Sequence, residues 1–166
     1  ACSSPHLILW YGTNVKKVKK VFWSLLANVI KKRYYLIESS SVNKYMLICK
    51  KLMQNDNIKD LEIYNNSLYT LSLKKLQNDV SNYRGQWGFF FQFQIKNLNY
   101  LKKIDTKKIQ TLTYFGFNKT DLKKVVIKNH LKGVDRIVPI GQALDIDFTW
   151  DGYDIYNILT RSIDVR

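Results

Sequence analysis

Between Pro5 and Gly12 the apolar run from His6 to Tyr11 (HLILWY) predicts a short buried strand. Beyond it the spacing changes. Val15, Val18, Phe22, Leu25, Leu26, Val29 and Ile30 recur at steps of three and four, predicting a helix to about Lys32 capped by Thr13 or Asn14. Lys16, Lys17, Lys19 and Lys20 fall largely on its other face. A second helix is expected from Ser41 to about Gln54, with Val42, Tyr45, Cys49, Leu52 and Met53 inward.

Leu61 to Tyr64 and Leu68 to Leu73 then read as strands on either side of Asn65-Asn66, a pair that tolerates positive φ and suits a hairpin. Trp87 to Ile95 is the most strand-prone run, with Phe91, Phe93 and Ile95 alternating with Gln92 and Gln94. Its Phe89-Phe90-Phe91 reads as strand core before it reads as the lining of a ligand tunnel. Ile109 to Phe115 predicts a strand ended by Gly116, followed by a helix capped by Asn118 or Thr120 and stopped by Gly133. Arg136 to Ile140 is a further strand, and Asp151 or Asp154 opens a last helix toward Arg161. Alternating strands and helices predict a layered α/β domain, a mostly parallel central sheet with helices on both faces. No repeat or Pro/Gly-rich linker divides residues 1–166.

Composition changes this picture mainly through charge. Lys and Arg total 27 against 13 Asp and Glu, a net +14 that invites a nucleic-acid or membrane-surface partner. Yet Lys, Ile, Asn, Tyr and Phe, which share AT-rich codons, make up 71 of 166 residues, so codon bias alone can raise the basicity. The lysines at the start of the first helix fit a solvated helix face, with no interleaved aromatic platform. They equally suit the phosphates of a bound ligand. The charge is uneven: residues 134–166 carry −3 and the preceding part +17. Such asymmetry suggests two surfaces with different tasks.

No apolar run approaches a membrane span, and the start has neither signal-peptide order nor an initiator Met, so it reads as the interior of a longer protein. Two cysteines make no disulfide framework; a single Cys2–Cys49 bridge is open to them, and a reducing compartment is the simpler reading. Cys2 and Cys49 with His6 and His130 match no zinc spacing. The acids Asp145, Asp147, Asp151 and Asp154 lack the glycine and terminal Glu of a calcium loop.

Cys2-Ser3-Ser4-Pro5 places a thiol just before the first strand, with the N–H groups of Cys2, Ser3 and Ser4 placed to help hold a thiolate or an oxyanion. On spacing alone the same cysteine also reads as a small hydrophobe. Trp150-Asp151-Gly152 reads equally as a turn with a helix cap or as a wall of the substrate entrance.

Ala1 to Pro5 resembles the nucleophile segment of the long-chain acyl-CoA reductases of the bacterial luminescence type, a branch of the aldehyde dehydrogenase superfamily. Gln110 to Gly116 resembles a second segment of that family. The most specific likeness is Gly133 to Asp145 (GVDRIVPIGQALD), running into Trp150 to Asp154 and ending at Leu159-Thr160-Arg161. The resemblance implies a three-layer α/β/α catalytic domain of the aldehyde dehydrogenase type, with Cys2 as nucleophile and Ser3 and Ser4 beside the oxyanion. It implies reduction of a fatty acyl-CoA, or an acyl-protein, to the aldehyde through a thioester on Cys2, with NADPH as reductant. It further implies a cytoplasmic homo-oligomer working beside acyl-protein synthetase and acyl-transferase subunits. No Gly-rich phosphate turn opens a helix, so the NADPH-binding domain is expected to lie before residue 1. Two rivals stand beside this reading: a basic nucleic-acid-binding domain, and a non-catalytic interaction domain that keeps the fold.

Overall fold

The predicted first strand and first helix form as β1 (Leu7–Trp10) and α1 (Val15–Arg33) in a computed structural model that describes residues 4–54, 56–78 and 80–165. The chain divides into two compact units, Ala1–Tyr100 and Leu101–Arg166. Each is a mixed α/β unit. Among the described residues they hold five α-helices and strand pairs that are mostly parallel.

The first unit continues with α2 (Glu38–Gln54), β2 (Ile58–Asn65), β3 (Leu68–Leu73) and β4 (Phe89–Gln94). Its sheet runs β1-β4-β3-β2. β4 is parallel to both β1 and β3, with Phe91 opposite Leu7 and Leu71, while β2 and β3 form the expected antiparallel hairpin. No positive φ is needed at Asn65 or Asn66, since Asn65 Oδ1 accepts from the Ser67 N–H at 2.8 Å and closes the turn locally.

Both faces of the sheet are covered. Trp23 of α1 lies against Phe90 and Tyr64 on one face, whereas Lys44 of α2 stands over the Tyr69 ring on the other. Leu71 and Phe91 are fully buried on the α2 side, where Tyr83 and Phe89 pack on Phe91. Side chains thus fill the space around the phenylalanine run.

The helix faces depart from expectation. In α1 the inward set is Val15, Phe22, Trp23, Leu26 and Ile30, and Val18, Leu25 and Val29 are exposed. Its apolar arc is wider than the sheet it meets, and the periodicity marks the whole arc. In α2, Lys44 and Ile48 are buried, and Val42, Tyr45, Leu52 and Met53 face solvent. The long stem of Lys44 takes the inward position because its amine reaches the Asn66 carbonyl and the Tyr69 ring.

The second unit comprises α3 (Leu101–Ile104), β5 (Thr111–Tyr114), α4 (Lys119–Lys128), β6 (Arg136–Pro139), β7 (Thr149–Trp150), β8 (Tyr153–Asp154) and α5 (Ile155–Leu159). Asn118 caps α4 by accepting from the Thr120 N–H at 2.8 Å. The helix is stopped by His130 rather than by Gly133. With φ at +50°, His130 donates its N–H to Ile127 O and Leu131 donates to Val126 O, the paired bonds of a Schellman ending. Gly133 is required for another reason: a Cβ there would stand 1.9 Å from the Thr106 carbonyl oxygen.

Candidate functional site

The segments 110–116 and 133–145 come together in the second unit as adjacent parallel strands. Thr111, Leu112, Thr113 and Tyr114 of β5 pair with Arg136, Ile137, Val138 and Pro139 of β6. The Gln110 carbonyl accepts from both the Asp135 and Arg136 N–H groups, at 2.9 and 3.0 Å. Upstream, the Asp105 carboxylate accepts from the Lys132 and Gly133 N–H groups at 2.8 and 3.0 Å, pinning the entry to β6.

Arg136 organises the loop that leaves β6. Its guanidinium donates to the carbonyls of Ala143 and Asp145, each at 2.8 Å, and lies over the Trp150 ring. The planar fork suits two carbonyls and a ring face at once. Trp150-Asp151-Gly152-Tyr153 forms a two-residue hairpin between β7 and β8. Asp151 and Gly152 have φ of +50° and +82°, the left-handed pair that a type I′ turn demands and that Asp-Gly supplies. A Cβ on Gly152 would meet the Asp135 carboxylate at 3.0 Å, so the turn is held close against the start of β6. Asp154, rather than Asp151, caps α5, accepting from the Asn157 N–H at 3.1 Å.

Trp150 and Asp151 are half-buried and Gly152 is exposed. These residues therefore form a braced turn whose chemical groups are an indole face, already shared with Arg136, and a carboxylate. Asp147 and Asp154 use their carboxylates on local N–H groups. Among the described residues, no three His, Cys, Asp or Glu side chains gather to hold a metal ion.

In the first unit Ser4 is half-buried ahead of β1, and Cys2 and Ser3 lie outside the described residues. Ser4 thus belongs to one unit and Trp150, Asp151 and Gly152 to the other. Cys49 sits half-buried on α2 as a free thiol. Lys16, Lys17 and Lys20 line an open concavity of about 430 Å³ with Thr13 and Asn14. No described helix is long and apolar enough to cross a membrane.

Sequence reasoning missed two polar groups at the centre of the first unit. Gln92 is fully buried, and its Oε1 accepts from the indole N–H groups of Trp10 and Trp23 at 2.8 and 3.0 Å. Its Nε2 faces Ser72, Thr70 and Glu62 at 3.1, 3.2 and 3.4 Å. Glu62 also accepts from the Tyr64 hydroxyl, and burial, with Glu62 beside it, pushes that phenol up to about 12. Lys44 is the second, its amine lowered to about 8 by burial. Partners this far apart in sequence leave no local signal; the one visible clue was a glutamine inside a phenylalanine run.

Comparison with known proteins adds no relative: no family, no curated protein and no solved structure matches the chain.

Proposed function

We propose that this chain is the catalytic portion of a long-chain acyl-CoA reductase with a domain of the aldehyde dehydrogenase type. The observation that carries the reading is the second unit. Two segments of the family likeness, Gln110 to Gly116 and Gly133 to Asp145, pair as neighbouring strands, and Arg136 ties Ala143, Asp145 and Trp150 to them. Within the second unit these parts of the likeness form one connected piece of structure.

The step assigned to this chain is acyl transfer. The Cys2 thiolate attacks the thioester carbonyl, the tetrahedral oxyanion forms beside the Ser3 and Ser4 N–H groups, and the CoA thiolate leaves. The acyl group is then a thioester on sulfur, electrophilic enough to accept hydride. NADPH supplies that hydride in the proposed overall reaction, which releases a fatty aldehyde.

A dinucleotide phosphate needs close backbone approach at a strand–turn–helix junction. The described strand–turn–helix junctions, β1 to α1 and β5 to α4, hold one glycine each, Gly12 and Gly116, and no Gly-rich phosphate run. In this proposal the cofactor is therefore held by sequence outside these 166 residues. The homo-oligomer and the synthetase and transferase partners belong to the same proposal.

Incubation with a long-chain acyl-CoA tests it. The peptide containing Cys2 should gain the mass of the acyl group, and hydroxylamine should remove it. An unmodified Cys2 peptide, or acylation confined to Cys49, would contradict the assignment.

A further inference from the structure

The outward surface of α1 is divided lengthwise. The helical repeat sets Lys16, Lys20, Lys31 and Lys17 in order around one half of the exposed arc, and Val21, Leu25, Val18 and Val29 around the other. These four aliphatic residues are 50–61% exposed and adjoin Phe22, which turns inward onto Trp10. Lys32 falls among them in the last turn. Contiguous apolar surface of this kind marks a place where something docks. Residues 1–37 contain seven Lys and Arg and no Asp or Glu. The carboxylates that act on Lys19, Glu62 and Asp60 of β2, stand toward the sheet-facing side of the helix, away from the stripe. Lysines in the first turn oppose the helix dipole, so the stability of α1 does not account for Lys16 and Lys17. Directly after the helix, Tyr34 and Tyr35 are exposed.

We propose that α1 is a membrane-surface helix, lying in the plane of an anionic lipid bilayer with Val18, Val21, Leu25 and Val29 at the acyl boundary and its lysines among the headgroups. This occupant uses both halves of the surface. Aliphatic side chains leave water at the boundary, lysine stems carry their amines up to the headgroup anions, and tyrosine rings suit that level. A nucleic acid answers only the lysine half, because a stripe of Val and Leu offers its bases no ring to stack on. Basic residues at both ends of the helix, with no acid between them, match a uniformly anionic plane better than the mixed charge of a protein surface. The contact is peripheral, in keeping with the absence among the described residues of a helix able to span a membrane. It involves the first unit alone and is independent of the reductase reading.

Sedimentation of the whole chain with lipid vesicles tests this. Phosphatidylcholine vesicles rich in phosphatidylserine should bring the chain down at low ionic strength, and pure phosphatidylcholine should not. Lys17→Gln with Lys32→Gln should weaken binding about tenfold or more. Lys123→Gln with Lys128→Gln removes the same charge from α4 and should weaken it less than about twofold. Val18→Ser with Leu25→Ser leaves the charge unchanged and should also cost about tenfold or more. All six positions are exposed, and circular dichroism checks that the fold is kept. If the serine pair alters the spectrum, Val21→Ser with Val29→Ser replaces it. A chain that stays in solution with the phosphatidylserine vesicles overturns the proposal, and its binding to a single-stranded oligonucleotide would then assign the lysines to nucleic acid. Full binding by the serine variant overturns it too, since charge alone would hold the chain. So does equal weakening by the α1 and α4 lysine pairs.

Discussion

The Arg136 guanidinium lies 4.1 Å from the centre of the Trp150 ring while donating to the Ala143 and Asp145 carbonyls. One side chain thereby joins β6, the loop after it and the β7–β8 hairpin. A cation over a half-exposed ring contributes about 0.5–1 kcal/mol, and hydrogen bonds from a charged donor about 1.5–3 kcal/mol.

Arg136→Lys keeps the charge and loses the fork. It should destabilise the second unit by about 2 kcal/mol in urea unfolding, well beyond the effect expected of a conservative surface change. Hydrogen exchange should quicken at the Asp145 and Ile155 amides, which bond within this loop and to the Phe148 carbonyl. Unchanged exchange at both amides would show that the guanidinium does not hold the segment.

Gln92 makes a parallel prediction for the first unit. Gln92→Leu leaves the Trp10 and Trp23 indole N–H groups without their acceptor, and each orphaned donor costs about 1–3 kcal/mol. A loss of about 3–5 kcal/mol is expected in thermal or urea unfolding, with a change in tryptophan fluorescence. Gln94→Leu, two residues on at an exposed position, should shift stability by no more than about 0.5 kcal/mol. Equal effects of the two substitutions would refute the role given to the network.

How much of this was legible in the sequence differs between elements and faces. The strand after Pro5, the hairpin around Asn65-Asn66 and the Asn118 cap were readable because turn residues and periodicity act locally. The inward faces of α1 and α2 were not. Both sides of α1 are apolar, so periodicity could not choose between Val18 and Trp23, and the choice was made by Gln92, which accepts the Trp23 N–H from 69 residues away. Lys44 was hidden for a similar reason, since its carbonyl partner, at Asn66, is reached only once β2 and β3 have paired. At the candidate site the motif 133–145 was visible as a string, but the function of Arg136 within it depends on Trp150, and chain folding alone brings those two together.

Lys44 gives stability a pH dependence. Its amine titrates near 8 when folded and near its ordinary 10.5 when unfolded. Below about pH 8 both states hold the proton, and the cost of burying the charge is fully present. Between 8 and 10.5 the unfolded chain binds more protons, so stability rises with pH. Lys19, also lowered by burial, contributes in the same direction. Comparing the parent chain with Lys44→Met isolates one residue: urea midpoints should rise less with pH between 8 and 10 in the variant. Parallel curves would remove Lys44 as the cause.

Transfer of the acyl group to Cys2 is the most direct test of the functional account, because it needs no nicotinamide. Mixed with excess long-chain acyl-CoA, the chain should release a single equivalent of free CoA per molecule in a rapid phase and then stop. Cys2→Ala should abolish that release and Cys49→Ala should leave it intact. Failure to release CoA, or release that persists in Cys2→Ala, would contradict the account.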